Sequence, residues 1–577
     1  MATFILCIFL AGIAAYQPNT IGVPGGSPNH WITWLFIFIF CCIAILRILR
    51  NRILHLPKLT YAAGTYLLLI VVAALFSLPI NLQSLWSLLG FSAGLLFYIA
   101  LHQFHLDNHG ERKLLIGLFL VGGLQAIVGI IQHHQIGFSE PFFAATPSFS
   151  GFYQVNVFAS FIATTSLCLL GVNHTGQSFK HTALDVLCAA IVVATGYAVF
   201  LSGSRVGLIG TLIGFLFISA WYLVSAKKLN KNQLFSPVEW ILAWATGYWL
   251  VPKLVGVPFD HISNKLAAIG KPLTMVRSDM YLGTWNLFLD SPIYGHGLGS
   301  FIQKFQPYYN AAAESLGNSS RLSSVTTHPH NELLFRLAES GIIGALGLMI
   351  LALAGGILLI KTGQKKGLVY AGLLTPLLLH TQTEFPFYVS GASWVLFLTI
   401  LYLPSRHFVR QLLVPQMKTR LTSVALTVVT VLGLISLELY LVDKVIVSHR
   451  VVKDLGEFEA LSSYGFDYEA INYALDDDFF GETANRYWLL SVVPAVIAGG
   501  NDDIIEKLLD QIDNSHRAHP TEGYYRVKAA LLDAQGKLTE ANEVLRIAHN
   551  LYPSSTAILL LQSHYIEHPS LYSPAQR

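Results

Sequence analysis

The densest group of chemically capable side chains runs Thr327-His328-Pro329-His330-Asn331-Glu332 and continues through Arg336 and Glu339 to Gly341. Proline is favoured in the first turn of a helix, so both histidines stand at the head of one. Glu332, Arg336 and Glu339 follow at i, i+4 and i+7 and share one face of that helix. Where such a helix leads into an apolar run, a charged stripe marks a polar cavity rather than lipid contact. Histidine exchanges a proton near neutral pH, which makes His330 a candidate general base. His328 is a further candidate, and the two rings together suggest a metal pair. No cysteine or clustered aspartate completes a ligand set, so neither a metal nor a cofactor is expected.

Four other patches have polar chemistry beside apolar stretches. Gln154 and Asn156, in Gly151-Phe-Tyr-Gln-Val-Asn-Val-Phe-Ala159, are uncharged groups suited to sugar hydroxyls or a phosphate oxygen, or to capping a helix. Arg205 lies in the tight turn Ser202-Gly-Ser-Arg-Val-Gly207. Its planar fork suits bidentate phosphate binding, while snorkelling to lipid headgroups accounts for it equally simply. Arg277 is either a second phosphate ligand or a surface arginine paired with a carboxylate such as Asp279. The last patch, His380 to Tyr388, offers Glu384 and Tyr388; Glu384 orients an arginine or simply meets water.

The elements that must position these residues are membrane helices. Of the 577 residues 53% are hydrophobic and only 12% are charged, against about a quarter charged in soluble domains. A net charge of +3 gives no reason to expect nucleic acid. The five cysteines lie in apolar runs and read as small core residues. A spanning helix needs about 20 apolar residues. Thirteen stretches qualify or nearly do, near 2–16, 31–47, 60–78, 84–104, 113–132, 155–172, 182–201, 206–225, 238–254, 334–360, 368–383, 390–404 and 420–442. The first has no basic leader and precedes many more, so it is not expected to be a cleaved signal.

Loop charge sets the orientation. Arg47–Lys58, Glu111–Lys113, Lys227–Lys231, Lys361–Lys366 and Arg406–Arg420 are basic; Gln17–His30, Leu78–Gln83, His133–Phe152 and Thr383–Tyr388 are weakly charged. With the N-terminus inside, every basic loop is cytoplasmic. The hydrophilic segments 255–332 and 443–577 then face outward, together with all the patches above. Gly295, Gly297 and Gly299 lack the strand-to-helix setting of a dinucleotide loop and read as turn punctuation. In the tail, Glu522–Pro553 has the helical-hairpin pattern of a tetratricopeptide repeat, with Ala529, Gly536, Ala541, Leu545 and Ala548 at packing positions. It is either a groove for a protein partner or a stabilising cap. The expected fold is all-α: a polytopic membrane protein with 1–133 as N-terminal spans, 134–442 as membrane core, and 443–577 as a soluble helical domain.

In this order the motifs resemble those of the bacterial superfamily of O-antigen ligases, O-antigen polymerases and protein O-oligosaccharyltransferases. Ser204-Arg205-Val-Gly207 resembles its SRxG turn. Arg277 to Trp285 with Asp290-Ser-Pro-Ile-Tyr-Gly-His-Gly297 resembles its long outer loop. His330 to Gly344 is similar to its HNxxLxxxxExGxxG signature. Gln154-Val-Asn156-Val-Phe-Ala159, Glu384-Phe-Pro-Phe-Tyr388 and the helical tail are most similar to the protein-glycosylating branch, which acts on pilins.

The resemblance implies an undecaprenyl diphosphate-linked oligosaccharide donor and a metal-independent, inverting transfer to serine or threonine of an exported protein, at the periplasmic face of the inner membrane. Arg205 and Arg277 would meet the diphosphate, and Arg336 would join them in holding the donor. His330 would take the acceptor proton, and Glu339 would orient the histidine or Arg336. Gln154 and Asn156 would hold donor sugar or phosphate, and His328, outside the signature, would matter less. An O-antigen ligase or polymerase, with a sugar acceptor, is the nearest alternative; the tail favours a protein acceptor. A lipid-linked glycan flippase predicts mid-membrane charges and inverted repeats, and neither is visible in the sequence.

Overall fold

The computed structural model describes residues 2–15, 28–77, 82–134, 152, 154–175, 182–225, 236–257, 272–318, 326–414, 420–461, 475, 477, 481–518 and 520–567. Gly151 and Tyr153 of the glutamine–asparagine patch, the basic loop at Lys227–Lys231, and parts of the long outer segment (258–271 and 319–325) lie outside them.

Each of the thirteen apolar stretches is helical. In chain order the helices are α1 (Ala2–Ala15), α2 (Pro28–Asn51), α3 (Leu59–Phe76), α4 (Leu82–Leu101), α5 (Asn108–His133), α6 (Val155–Val172), α7 (Thr182–Ser202), α8 (Arg205–Ser225), α9 (Pro237–Ala245) and α10 (Val251–Val255). They continue with α11 (Pro272–Asp290), α12 (Phe301–Ser315), α13 (Glu332–Lys361), α14 (Gln364–Thr381), the short α15 (Pro386–Val389), α16 (Gly391–Ser405) and α17 (Arg420–Leu461). The tail contributes α18 (Gly481–Gly499), α19 (Asp502–Ala518), α20 (Glu522–Ala534), α21 (Leu538–Leu551) and α22 (Thr556–Glu567). Eight of them, α2 to α8 and α13, are long and apolar enough to cross a membrane, and the chain is an integral membrane protein. The ninth stretch is not one regular helix. A wide turn at Thr246–Leu250 joins α9 to α10, just before Pro252 removes a backbone donor.

One feature departs from an all-α pattern. Ile53–Pro57 (β1) pairs antiparallel with Val409–Leu413 (β2), Ile53 opposite Leu413. These strands lie in two of the basic loops, so those loops meet on one side of the helices they join.

Contacts divide the chain into two units. The first comprises residues 1–71, 86–267 and 346–446. Its central element is α6, whose side chains from Val157 to Val172 are all buried. A helix apolar on every face is stable only when surrounded, and α6 packs against α5, α7, α8 and α14. The outer helices instead show leucines such as Leu216, Leu223 and Leu353 to their surroundings. At one end of this unit Glu111 is fully buried, accepting from Tyr370 at 2.6 Å and Arg406 at 2.5 Å, with the His174 ring 3.0 Å away. A carboxylate there is tolerable only with such partners. The network ties together the ends of α5, α6 and α16 and the first turns of α14, all of which the loop charges assign to the basic side.

The second unit comprises residues 72–85, 268–345 and 447–577. Here α11 and α12 form an antiparallel pair, and the tail helices pack in succession around Leu489, Val493, Ile505, Leu508, Ile512, Tyr524 and Leu531. The expected hairpin is present as α20 and α21, turning at Gly536 (φ +76°) with Ala529, Ala541 and Leu545 buried between them. Tail and outer segment also touch. The Gln306 amide donates to the Leu551 carbonyl at 3.0 Å, and that of Asn310 to Asn550 and Leu551 at 3.1 and 2.9 Å. Two α12 side chains thus cap the last carbonyls of α21, groups a helix cannot satisfy itself.

Candidate active site

In the second unit, α13 begins with Asn331 as its cap, the side-chain oxygen accepting the Leu334 N–H at 3.0 Å. The charged stripe is present as read. Arg336 is fully buried, its Nε 2.9 Å from Glu332 and its Nη1 3.7 Å from Glu339, with the guanidinium 4.8 Å from the Phe335 ring centroid. Burial of an arginine to this degree requires both carboxylates.

Glu339 has a partner outside that stripe. Its Oε1 accepts the Gly299 N–H at 2.7 Å. The His296 and Gly297 N–H groups donate to the Ala338 and Glu339 carbonyls, and those of Ile342 and Ile343 to the Pro292 and Ile293 carbonyls. The glycine turn is therefore laid against α13 where the helix breaks, at Gly341 (φ +61°, ψ −162°). What reads in sequence as punctuation is a docked element, and Glu339 holds it. Of the two residues that Glu339 is expected to meet, Arg336 lies 3.7 Å away and His330 is not among its partners.

His330 has φ +57°, one of two non-glycine residues in the left-handed region among the described residues. A side chain there costs about 1–2 kcal/mol, and two contacts hold the conformation. The His330 N–H donates to His328 Nδ1 at 2.8 Å, and the Tyr281 hydroxyl donates to the His330 carbonyl at 3.4 Å. Accepting at Nδ1 puts the proton of a neutral His328 on Nε2, 3.8 Å from Glu332. Buried His328 thus sets the backbone of His330, which keeps partial exposure. Burial raises the Tyr281 phenol above its ordinary range, with the Arg277 cation opposing, so Tyr281 stays a donor.

Arg277 is exposed, in α11, whereas Asp279 is buried and accepts from Asn318 at 2.8 Å. His296 is pushed down by burial. Its Nε2 donates to the Leu287 carbonyl at 2.8 Å and Nδ1 lies 3.2 Å from the Lys304 ammonium. With Nε2 donating and the Nδ1 lone pair facing the ammonium, the ring has no free lone pair with which to act as a second base.

The first unit gathers the other patches at the ends of α6, α8 and α14. Ser204 caps α8 by accepting the Gly207 N–H at 3.1 Å, and exposed Arg205 is the first helical residue. Helix starts favour anions. Gly207 is required by packing, since a Cβ there would lie 2.5 Å from that of Ala159 on α6. The Gln154 side chain makes no capping bond. Asn156 Nδ2 donates to Glu384 Oε1 at 2.6 Å, and His380 Nε2 lies 3.4 Å from Glu384 Oε2. Glu384 thus meets an asparagine and a histidine, with Ser160 behind them, 2.8 Å from His380 Nδ1. The Tyr388 carbonyl lies 3.0 Å from the His30 ring. Sequence reasoning missed His380, Ser160 and the role of His328. The available signal was the i, i+4 spacing of Asn156 with Ser160 and of His380 with Glu384. Among the described residues no group of three or more His, Cys, Asp or Glu could hold a metal ion.

Residues 190–349 match the O-antigen ligase family model. The matched segment contains Arg205, Arg277, His328, His330, Arg336 and Glu339, and leaves Gln154, Asn156, Glu384 and Tyr388 outside. No curated protein matches the chain. The match supports glycan transfer of the O-antigen ligase kind, with a lipid-linked donor and an acceptor.

Proposed function

We propose that the chain transfers a preassembled glycan from undecaprenyl diphosphate to serine or threonine hydroxyls of an exported protein, a pilin for example, at the periplasmic face of the inner membrane. The observation that carries the reading is His330, held in a strained backbone by His328 and Tyr281 at the head of the Glu332–Arg336–Glu339 stripe, in which Arg336 and Glu339 are buried. Strained backbone clusters at functional sites. In the reaction the acceptor oxygen attacks the anomeric carbon and its proton passes to His330. The bond from that carbon to the diphosphate oxygen breaks, and the electron pair leaves with the diphosphate. Arg205 and Arg277 meet that charge, and Glu339 keeps the glycine turn and Arg336 in place. The tail, with its tetratricopeptide-like hairpin, favours a protein acceptor.

The test is co-expression with a lipid-linked glycan pathway and candidate acceptors, read by the intact mass of the acceptors. Glycan appearing on lipopolysaccharide instead of protein assigns the chain to the O-antigen ligases. Glycan on neither acceptor rejects transfer. In the same assay Arg205→Ala and Arg277→Ala should each lose transfer about 10- to 100-fold, the usual worth of a charge-assisted contact. Lysine at Arg205 should rescue only in part, because it lacks the fork. Normal transfer by both alanine variants removes the diphosphate role.

Orientation is open to a separate measurement. In a cysteine-free background, Ser315→Cys on α12 and Glu506→Cys on α19, both exposed, should react with a membrane-impermeant maleimide added from the periplasm. Reaction only after the inner membrane is opened reverses the topology.

A further inference from the structure

The glycine turn at 291–300 is held on a second side, by the outer corner where α3 ends and α4 begins. Phe76, the last residue of α3, stacks on Tyr294 with ring centroids 4.6 Å apart. The Ser77 carbonyl approaches Gly297 (φ +103°) so closely that a Cβ there would stand 2.9 Å from its oxygen. Ser84, buried in the first turn of α4, donates its hydroxyl hydrogen to the Leu298 carbonyl. In sequence this corner is only a weakly charged loop between two apolar stretches, and no motif includes it.

The Leu298 carbonyl and the Gly299 N–H belong to one peptide group. Ser84 holds that group by its oxygen, while Glu339 Oε1 accepts its N–H at 2.7 Å. A peptide whose oxygen accepts a hydrogen bond is polarised and donates more strongly from its nitrogen. The carboxylate held in this way lies 3.7 Å from Arg336 Nη1, and Arg336 Nε is 2.9 Å from Glu332. Glu332 stands 3.8 Å from His328 Nε2, and His328 Nδ1 accepts the His330 N–H at 2.8 Å. A line of polar contacts therefore runs from the start of α4 to the backbone of His330. Stacking by Phe76 and the close approach of Ser77 are enough to fasten the turn. The Ser84 bond adds direction, because it sets the tilt of the N–H aimed at Glu339.

We propose that Ser84 is a positioning residue for glycan transfer, acting through the 298–299 peptide to fix Glu339 and, through it, the Arg336 guanidinium. This rests on the reading that the chain transfers a glycan. The α3–α4 corner is then part of the framework of the site, not a mere connection between two apolar helices.

The test compares Ser84→Ala with Ser84→Cys, which nearly keeps the volume but donates only weakly. Full-length protein in lipid nanodiscs is supplied with an undecaprenyl diphosphate-linked oligosaccharide and an acceptor protein. Both variants should lose about 10-fold in kcat, the worth of one buried hydrogen bond. KM for the donor should stay within about twofold of the wild type, as for a group that serves the chemical step. In a Glu339→Gln background the same substitutions should cost less than about twofold, since residues acting through one another are not additive. Full kcat in Ser84→Cys makes Ser84 a space filler. A raised KM at unchanged kcat makes it a binding residue, and equal losses with and without Glu339→Gln show that it does not act through the carboxylate. Each of these overturns the proposal. Hydrogen exchange supplies a readout that needs no turnover: Ser84→Ala should speed exchange at the Gly299 amide, in a fragment covering 294–301, and leave the α20–α21 hairpin unchanged. Unchanged exchange at Gly299 also overturns the proposal. Faster exchange there in a protein that transfers nothing leaves the hold on Glu339 standing and removes the transferase reading instead.

Discussion

Replacing His330 by alanine should reduce transfer by about 10²–10⁴-fold, the range for a positioned acid–base group, while binding of the lipid-linked donor persists. The two effects separate because the diphosphate is assigned to Arg205 and Arg277, not to the imidazole. Backbone strain supplies a sharper control. Glycine at 330 accepts φ +57° without penalty, so His330→Gly restores the preferred backbone but not the base. Both variants should therefore be equally inactive. Glycine restoring what alanine loses would sink the general-base role and make the position a turn. His328→Ala should cost about 10-fold, since it removes the acceptor for the His330 N–H. That is more than its place outside the signature suggests, and it identifies His328 as a positioning residue.

Gly341→Ala should be as damaging by another route. At φ +61° and ψ −162° the residue occupies a region open almost only to glycine, at a strain of about 1–3 kcal/mol for any other. A Cβ there would also stand 2.3 Å from the Ile293 carbonyl oxygen and 2.7 Å from the Gly295 nitrogen. Both are backbone atoms of the docked turn and cannot rotate away. The turn should detach from α13, with transfer falling to background and protease cleavage appearing within 291–300. Gly355→Ala, in the same helix with nothing within 4 Å of its Cβ, should be harmless or slightly stabilising, by about 0.5–1 kcal/mol. Normal transfer and protection in Gly341→Ala would show that the docking is dispensable.

The helices were legible because a chain in lipid must satisfy its own backbone, which forces long apolar runs that any window detects. The wide turn before Pro252 and the β1–β2 ribbon were not. Residues 53–57 read as part of a basic loop, and their partner lies more than 350 positions away. The same limit governs the site. Periodicity placed Glu332, Arg336 and Glu339 on one face, because an i+4 relation is local. It could not pair Asn156 with Glu384, since spacing gives the face a residue occupies and not the helix opposite. Nor did it show that Gly299 and Glu339 meet.

The α12–α21 junction bears on how the tail can be exchanged between related chains. A graft cut at the membrane boundary would bring a new helix end to Gln306 and Asn310, whose amides are set for the carbonyls at 550 and 551. Unless the incoming helix ends at the same height, its last carbonyls miss those donors and the two amides lose their acceptors. The functional crossover points therefore lie on either side of 301–315 as well as after the last membrane helix. A chimera should carry α12 together with the tail it caps.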